Sequence, residues 1–200
     1  TFAPRLKKFG RAPKNKNIAK LSLIKSISGI RGTIGGETGS NFTPVDIMKF
    51  ALAFGEWVKK KEKNNKIVIG RDARISGEMV KNIVAGSLQS IGINVVDLGL
   101  STTPTVEMAV QEEKAGGGII ITASHNPKQW NALKLLNSKG EFISSKAGEE
   151  VLKLAEEGTH KFADVNHIGS YIVNNSYLDF HIREILRLKL VDVEAIRARN

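Results

Sequence analysis

The sequence has 200 residues, of which 41% are hydrophobic and 25% charged, values close to the average for globular proteins, so extensive disorder and fibrous repeats are excluded. It contains no cysteine, which excludes a disulfide scaffold, a thiolate zinc site and a cysteine nucleophile, and which fits a reducing compartment. No apolar run is long enough for a transmembrane helix, and no signal peptide is recognisable. We therefore expect a cytoplasmic protein without a membrane partner.

The formal net charge of +10 is concentrated at the amino-terminal end of the sequence. Residues 1–20 contain seven lysines and arginines and no acidic residue, which leaves 23 of the 30 cations against all 20 anions in the rest of the chain. This composition predicts a disordered basic tail, with a nucleic-acid-binding arm as the alternative. A nucleic-acid-binding domain would carry a basic face on its folded elements, so we do not expect nucleic acid as a partner.

From residue 21 onward, short apolar runs alternate with amphipathic segments, which predicts alternating strands and helices. The predicted strands cover residues 23–28, 66–69, 93–98, 119–121 and 132–136. The predicted helices cover residues 44 to about 61, 79 to a stop at 92, 103 to a stop at 116, 145–157, 176–190 and 193–199. Two helices start at Thr-Pro pairs, in which the hydroxyl can cap the helix and the proline suits its first turn. The run Ile119–Ile121 is apolar on both faces and is expected at the centre of the sheet.

This order of elements predicts an α/β fold with a mixed, largely parallel sheet sandwiched by helices. We expect the α/β domain to span residues 21–158. The last helices come without a predicted strand, so residues 159–200 are interpreted as a linker and the helical start of a second domain that is cut off at Asn200. The sequence implies no particular oligomeric state.

Three unusual segments follow predicted strands, at residues 28–36, 70–77 and 122–131. Ligands of doubly wound sheets bind outside the carboxyl ends of the strands, so we expect the three segments to converge at one edge. These segments and the adjoining strand carry cationic and hydroxyl side chains, namely Arg31, Arg71, Arg74, Ser124, His125, Lys128 and Lys134. Their glycines would let backbone amides approach an anion, although ordinary turn geometry also explains them. A cationic rim around a hydroxyl suits a phosphate group.

Standard nucleotide and hydrolase motifs are absent from the sequence. It has neither a GxxxxGK[ST] loop nor a GxGxxG loop, so it predicts no P-loop and no Rossmann site. Ser124 is not in a GxSxG elbow, and the side chains of Ser124 and His125 would point apart on an extended segment, so a hydrolase triad is not expected. His160, His167 and His181 lie outside the three segments without metal-like spacing and are interpreted as surface or core residues.

Three motifs occur in order along the chain. Residues 28–32 are Ser-Gly-Ile-Arg-Gly, residues 70–77 are Gly-Arg-Asp-Ala-Arg-Ile-Ser-Gly, and residues 122–127 are Thr-Ala-Ser-His-Asn-Pro, followed by Asn131 and Lys134. The last motif resembles the phosphoserine loop of the α-D-phosphohexomutase family, and the first two resemble its Gly-x-Arg-Gly loop and its Gly-Arg-Asp-x-Arg-x-Ser-Gly segment. This family includes phosphoglucomutases, phosphomannomutases and phosphoglucosamine mutases. The resemblance extends over about residues 22–158.

The resemblance implies an enzyme that moves phosphate between the 1- and 6-positions of a hexose, through a phosphoserine and a hexose 1,6-bisphosphate intermediate. It assigns Ser124 as the phosphate carrier. It implies that Arg31 and Lys134 flank the phosphoryl group and assist proton transfer. It also implies that His125 and Asn126 shape the loop and touch the phosphate.

The resemblance further implies two phosphate-binding arginines and a metal ion. Arg71 and Arg74 are expected to bind phosphate or substrate, although with Asp72 they could equally form an ion-pair network that fixes the loops. The implied cofactors are Mg²⁺ and, as activator, hexose 1,6-bisphosphate. Ser124 would be a metal ligand through its phosphate, and the aspartate ligands of the family are expected beyond Asn200, so this chain alone is expected to be inactive.

The expected substrate is a small sugar phosphate. Residues 130–134, Trp-Asn-Ala-Leu-Lys, resemble phosphoglucosamine mutases most, which favours glucosamine phosphate. Phosphomannomutase or phosphoglucomutase specificity is the alternative within the family. A non-catalytic phosphosugar-binding domain, which would keep the fold without phosphorylating Ser124, is the alternative outside it.

Overall fold

The computed structural model describes residues 22–26 and 29–199. The predicted tail of residues 1–20, and Ser28 of the first motif, lie outside the described residues. The strands are β1 Ile24–Ser26, β2 Gly29–Thr33, β3 Lys66–Arg71, β4 Asn94–Leu100, β5 Gly117–Ile121, β6 Trp130–Leu136 and β7 Tyr171–Val173. The helices are α1 Pro44–Lys61, α2 Gly77–Ser90, α3 Thr103–Glu112, α4 Ser145–Glu157, α5 Tyr177–Leu186 and α6 Val193–Arg197. None of these helices is long and apolar enough to cross a membrane.

The seven strands form one mixed sheet in the order β1-β2-β6-β5-β3-β4-β7. The pairs among β3, β4, β5 and β7 are parallel, whereas β1, β2 and β6 join the sheet through antiparallel pairs. Because β2 is antiparallel to β6 and β6 is antiparallel to β5, β2 runs in the direction of β5, and five of the seven strands share one direction. The prediction of a mixed, largely parallel α/β sheet is confirmed. All five residues of β5 are buried, and β5 is the central strand, as its apolar run indicated.

The first predicted strand and the glycine-rich segment after it form a hairpin instead. Within the described part of the strand predicted over residues 23–28, residues 24–26 form β1, and Gly29–Thr33, expected in a loop, forms β2 between β1 and β6. A Cβ atom at Gly29 would lie 2.1 Å from the carbonyl oxygen of Leu133, so only glycine allows this close pairing. Ile30 is buried in the core. The loop prediction for residues 29–33 was wrong because glycine here permits strand packing rather than a turn.

The segment after residue 158 also contains a strand. Tyr171–Val173 forms β7, which pairs in parallel with β4 at the edge of the sheet. The next helix, α5, packs on α3, and its Tyr177 is buried in the core of that side. The prediction that residues 159–200 contain no strand is wrong, because a three-residue edge strand has too short a pattern to be recognised. Residues 171–186 therefore pack with the sheet, and the start of a second domain further along stays a prediction.

Two separate cores lie on the two faces of the sheet. Helices α1, α2 and α4 cover one face, with side chains such as Phe50 and Val84. Helices α3 and α5 cover the other face, with side chains such as Val106. This second face is open over β2 and β6, where Arg31 is exposed and Lys134 is half-buried. The open part of the sheet provides the floor of the site described below.

Local signals fix the helix ends. Thr43 caps α1 in a capping box with Asp46, as the Thr-Pro pair predicts. The cap of α3 is Thr102 rather than the predicted Thr103, because Pro104 is tolerated anywhere in the first turn. α4 ends at Gly158, whose φ of 61° is the left-handed conformation that glycine adopts readily.

Candidate phosphate site

A cleft of about 240 Å³ lies beyond the carboxyl end of β5. Its lining joins the loop after β5 to β1, β2 and β6, and includes Ser26, Arg31, Ser124, His125, Asn126 and Lys134. The structure therefore brings together the predicted phosphate carrier, its two neighbours in the loop and the two flanking cations. Ser26 was not predicted to belong to the site, because the sequence placed it inside a strand.

Ser124 is exposed and has a left-handed backbone conformation, with a φ of 53°. This conformation is strained for a residue that has a Cβ atom, and strained residues cluster at functional sites. The amide of Ser124 donates a hydrogen bond of 3.0 Å to Oγ1 of Thr122, which stabilises the turn. The serine is thus presented in the wall of the cleft.

The two flanking cations come from paired strands. Arg31 lies opposite Ala132 in the β2–β6 register, and Gly29 lies opposite Lys134, so Arg31 and Lys134 project from the same face of the sheet. Nζ of Lys134 is 5.8 Å from the centroid of the Phe142 ring, which is a cation–π distance. Two positive charges beside a hydroxyl can hold a phosphoryl group and stabilise the charge that develops on it during transfer.

Arg74 contacts the same loop but has no donor left for a ligand. Its Nε atom donates to Oδ2 of Asp72 at 3.2 Å. Its two Nη atoms donate to four backbone carbonyl oxygens at 2.7, 2.7, 2.9 and 3.1 Å, those of Ser124, Asn126, Pro127 and Trp130. All five N–H donors of the guanidinium are therefore engaged. The expected phosphate-binding role of Arg74 does not fit this geometry, whereas the alternative, a network that fixes the loops, does.

Arg71 is not among the residues that line the cleft. Its Nη2 atom donates to Oε2 of Glu78 at 2.8 Å, and its Nη1 atom donates to the carbonyl oxygen of Asp72 at 3.2 Å. A hydrogen bond from Lys81, reinforced by the charges of Lys81 and Arg71, lowers the pKa of Glu78 below its ordinary value of 4.5. Arg71 lines a separate cleft of about 270 Å³ beside Thr102. The structure therefore does not bring Arg71 to Ser124 as expected, because its guanidinium pairs with Glu78 on α2.

Two partly buried contacts connect the second motif with the third motif and the Asn131 that follows it. Nδ2 of Asn131 donates to Oγ of Ser76 at 2.9 Å, and Oγ1 of Thr122 donates to Oδ2 of Asp72 at 2.6 Å. These partners are 55 and 50 positions apart in the sequence, so no local pattern could have indicated the bonds. Lys128, a candidate from the sequence, is exposed and lies outside the lining of the cleft.

Within residues 22–26 and 29–199, no three histidine, aspartate or glutamate side chains come together as a metal site. Ser124 would contribute one ligand through a phosphate, and the carboxylate of Asp72 already accepts bonds from Thr122 and Arg74. These residues therefore do not fit a complete Mg²⁺ site, which needs further oxygen ligands. The chemistry that they support by themselves is the holding and orientation of a phosphoryl group between cations.

The described residues thus form an α/β domain in which the central strand leads to an exposed serine in a cleft lined by arginine and lysine. Residues 23–162 match the family model described as "Phosphoglucomutase/phosphomannomutase, alpha/beta/alpha domain I". The chain belongs to this family, as the three motifs indicated.

The relatives of the chain carry the names of mutases. A phosphoglucosamine mutase from Helicobacter pylori is 41% identical over 133 residues, which cover 66% of this chain and 29% of the relative. A phosphoglucomutase/phosphomannomutase from Thermococcus kodakarensis is 35% identical over 172 residues, which cover 84% of this chain and 37% of the relative. A crystal structure of a phosphoglucomutase/phosphomannomutase family protein from Burkholderia thailandensis shares the fold, with a TM-score of 0.69 and 22% identity over 87% of this chain and 37% of that chain. The chain thus spans about a third of the length of these proteins.

Proposed function

We propose that this chain is the part of a phosphohexomutase that carries the active serine, and that the complete protein interconverts hexose 1-phosphate and hexose 6-phosphate. The observation that carries the proposal is the exposed, strained Ser124 in one cleft with Arg31 and Lys134. The family membership supports the same reaction. The alternative of a non-catalytic phosphosugar-binding domain has no comparable use for a strained serine between two cations.

In the proposed reaction, phosphorus exchanges one oxygen partner for another. The bond between phosphorus and Oγ of Ser124 breaks as a bond forms from phosphorus to a sugar hydroxyl oxygen, and the proton of that hydroxyl ends on the released Oγ of Ser124. Arg31 and Lys134 stabilise the charge on the transferring group and assist the proton transfer. His125 and Asn126 contact the phosphate from the loop. The sugar bisphosphate then returns its other phosphoryl group to Ser124.

The finer parts of the proposal concern the substrate, the cofactors and the location. Glucosamine phosphate is the proposed substrate, which is supported by the name of the Helicobacter relative, whereas the name of the Thermococcus relative favours glucose or mannose phosphate. Mg²⁺ and an activating hexose 1,6-bisphosphate belong to the proposal, with no described residue set assigned to the metal. The lack of cysteine supports a cytoplasmic location.

Intact-mass spectrometry tests the proposal. The complete protein, incubated with Mg²⁺ and hexose 1,6-bisphosphate, should gain one phosphoryl group, because Ser124 accepts it from the bisphosphate. Ser124→Ala should remove this gain and lower the turnover of hexose 1-phosphate by at least about a thousandfold. Glucosamine 1-phosphate should be turned over with a higher kcat/KM than glucose or mannose 1-phosphate.

Ser145→Ala is the matched control, because Ser145 is exposed at the start of α4 and outside the cleft lining. It should leave phosphoryl gain and turnover unchanged. Turnover that survives Ser124→Ala would refute the mutase mechanism. A wild-type protein that binds sugar phosphate without ever gaining a phosphoryl group would favour the non-catalytic alternative.

A further inference from the structure

The backbone of Ser124 is held on both sides by one connected network. Its amide donates to Oγ1 of Thr122 at 3.0 Å, and its carbonyl oxygen accepts from Nη2 of Arg74 at 2.7 Å. The hydroxyl of Thr122 donates to Oδ2 of Asp72 at 2.6 Å, and Nε of Arg74 donates to the same oxygen at 3.2 Å. The bonds therefore form a closed circuit that starts and ends at the carboxylate of Asp72 and passes through both polar backbone groups of Ser124.

The members of this network are themselves fixed. Oδ1 of Asp72 accepts from the backbone amide of Arg74 at 3.0 Å, and the side chain of Arg74 is only 12% exposed. Hydrogen bonds with a charged partner are stronger than neutral ones, and three of the four bonds in the circuit involve the Asp72 carboxylate or the Arg74 guanidinium. A left-handed residue with a Cβ atom persists only where its surroundings impose it. At Ser124 a turn is closed by a bond of 3.0 Å from the amide of Asn126 to the carbonyl oxygen of Ala123, and the network holds the amide and the carbonyl oxygen of Ser124 within this turn.

We propose that Asp72, Arg74 and Thr122 are positioning residues that hold Ser124 in its left-handed conformation and so aim its hydroxyl between Arg31 and Lys134. The inference rests on the proposed function, since it takes the aimed hydroxyl to be the phosphate carrier. Neither Asp72 nor Arg74 lines the cleft, so their contribution passes through Ser124. Loss of the network slows phosphoryl transfer but leaves the affinity for sugar phosphate unchanged, because the binding cations stay in place.

The two variants Thr122→Val and Thr122→Ser test the hydrogen bonds that the hydroxyl of Thr122 makes in this network. Valine keeps the branched shape but lacks the hydroxyl, whereas serine keeps the hydroxyl. The single-turnover rate of Ser124 phosphorylation by hexose 1,6-bisphosphate should fall at least about tenfold in Thr122→Val, since misplaced reacting groups are slow to react. The concentration of hexose 1,6-bisphosphate that gives half of the maximal rate should be the same in Thr122→Val as in the wild type. Thr122→Ser should react close to the wild-type rate.

Arg74→Lys should show the same loss of rate, because an ammonium group has three donors and cannot reproduce five donors in a planar fork. Arg187→Lys is the matched control, since Arg187 is an exposed residue that pairs with Glu184 at the end of α5. It should leave the rate unchanged.

Hydrogen exchange provides a readout that needs no enzymatic activity. The amide of Ser124 should exchange at least about tenfold faster in Thr122→Val and Arg74→Lys than in the wild type, Thr122→Ser or Arg187→Lys. If Thr122→Val and Thr122→Ser had the same phosphorylation rate and the same exchange rate of the Ser124 amide, the proposed positioning role would be overturned. If Thr122→Val or Arg74→Lys needed more hexose 1,6-bisphosphate for half of the maximal rate but kept the maximal rate of the wild type, the positioning role would also be overturned. If the wild type gains no phosphoryl group on Ser124, the proposed function fails, and the exchange rates alone support or overturn the network.

Discussion

At the scale of the residue, two non-glycine positions of the described chain have positive φ angles, Lys114 with 49° and Ser124 with 53°. Lys114 follows the C-cap of α3, where a left-handed residue commonly ends a helix. Ser124 follows no helix. It is the second residue of a turn that is closed by a bond of 3.0 Å from the amide of Asn126 to the carbonyl oxygen of Ala123, and the hydrogen bonds with Thr122 and Arg74 also hold its backbone.

Because of the strain in the backbone of Ser124, we expect glycine at position 124 to give a more stable protein than alanine. We expect Ser124→Gly to have a free energy of unfolding about 1 kcal/mol higher than Ser124→Ala, because glycine has no Cβ atom to clash in the left-handed region. The order should reverse at Ser145 in the first turn of α4, where alanine is the better helix former. Urea denaturation measures both pairs. Equal stabilities of the two Ser124 variants would show that the backbone there is unstrained.

At the scale of the element, the bounds of α1 and α4 agree with the sequence prediction, because caps, prolines and terminal glycines act locally. Strands β2 and β7 were missed, because each depends on a distant partner: Gly29 pairs with Lys134, and Tyr171 with Val95. The candidate site likewise has features that the local sequence indicates and features that depend on distant partners. Its motifs indicated the serine and both flanking cations, but the role of Arg74 depends on bonds to backbone carbonyls, which carry no side-chain pattern in the sequence.

The hairpin gives a prediction at this scale. Gly29→Ala should lower the free energy of unfolding by about 1–3 kcal/mol, because the new Cβ atom would overlap the carbonyl oxygen of Leu133 and separate β2 from β6. Gly86→Ala in α2 should instead raise it by roughly 0.5–1 kcal/mol, since a Cβ atom there meets nothing within 4 Å and alanine favours a helix. Thermal unfolding compares the two. A neutral Gly29→Ala would contradict the tight strand pairing.

At the scale of the whole molecule, Glu113 connects the segment after residue 158 to the sheet. Its carboxylate accepts a bond of 2.8 Å from Lys66 at the start of β3 and a bond of 2.9 Å from the hydroxyl of Tyr177 in α5. Burial alone would raise the pKa of Glu113, but the bonds from Lys66 and Tyr177 outweigh it and hold the pKa below 4.5. Burial and the neighbouring Glu113 in turn raise the pKa of Tyr177. The ionised carboxylate of Glu113 therefore contributes to the docking of α5, together with the apolar packing of Tyr177.

The lowered pKa of Glu113 predicts a pH dependence of stability. The folded protein binds a proton at Glu113 less readily than the unfolded chain, so this stabilisation is complete above pH 4.5 and is lost as the pH falls through the lowered pKa. Glu113→Gln should therefore make the fall in the free energy of unfolding between about pH 6 and about pH 3 shallower. Glu149→Gln, at an exposed position of α4, serves as the control. If the free energy of unfolding of Glu113→Gln fell with pH as steeply as that of the wild type, the stabilising role of the ionised Glu113 would be contradicted.

The hairpin strand β2 also constrains how the chain can change in length. Ile30 faces the apolar core and the next residue, Arg31, faces the cleft, because neighbouring side chains in a strand alternate between faces. Insertion or deletion of one residue ahead of this pair would exchange the two faces, burying a guanidinium and exposing an isoleucine. Among natural variants, the length of this stretch can therefore vary only in steps of two.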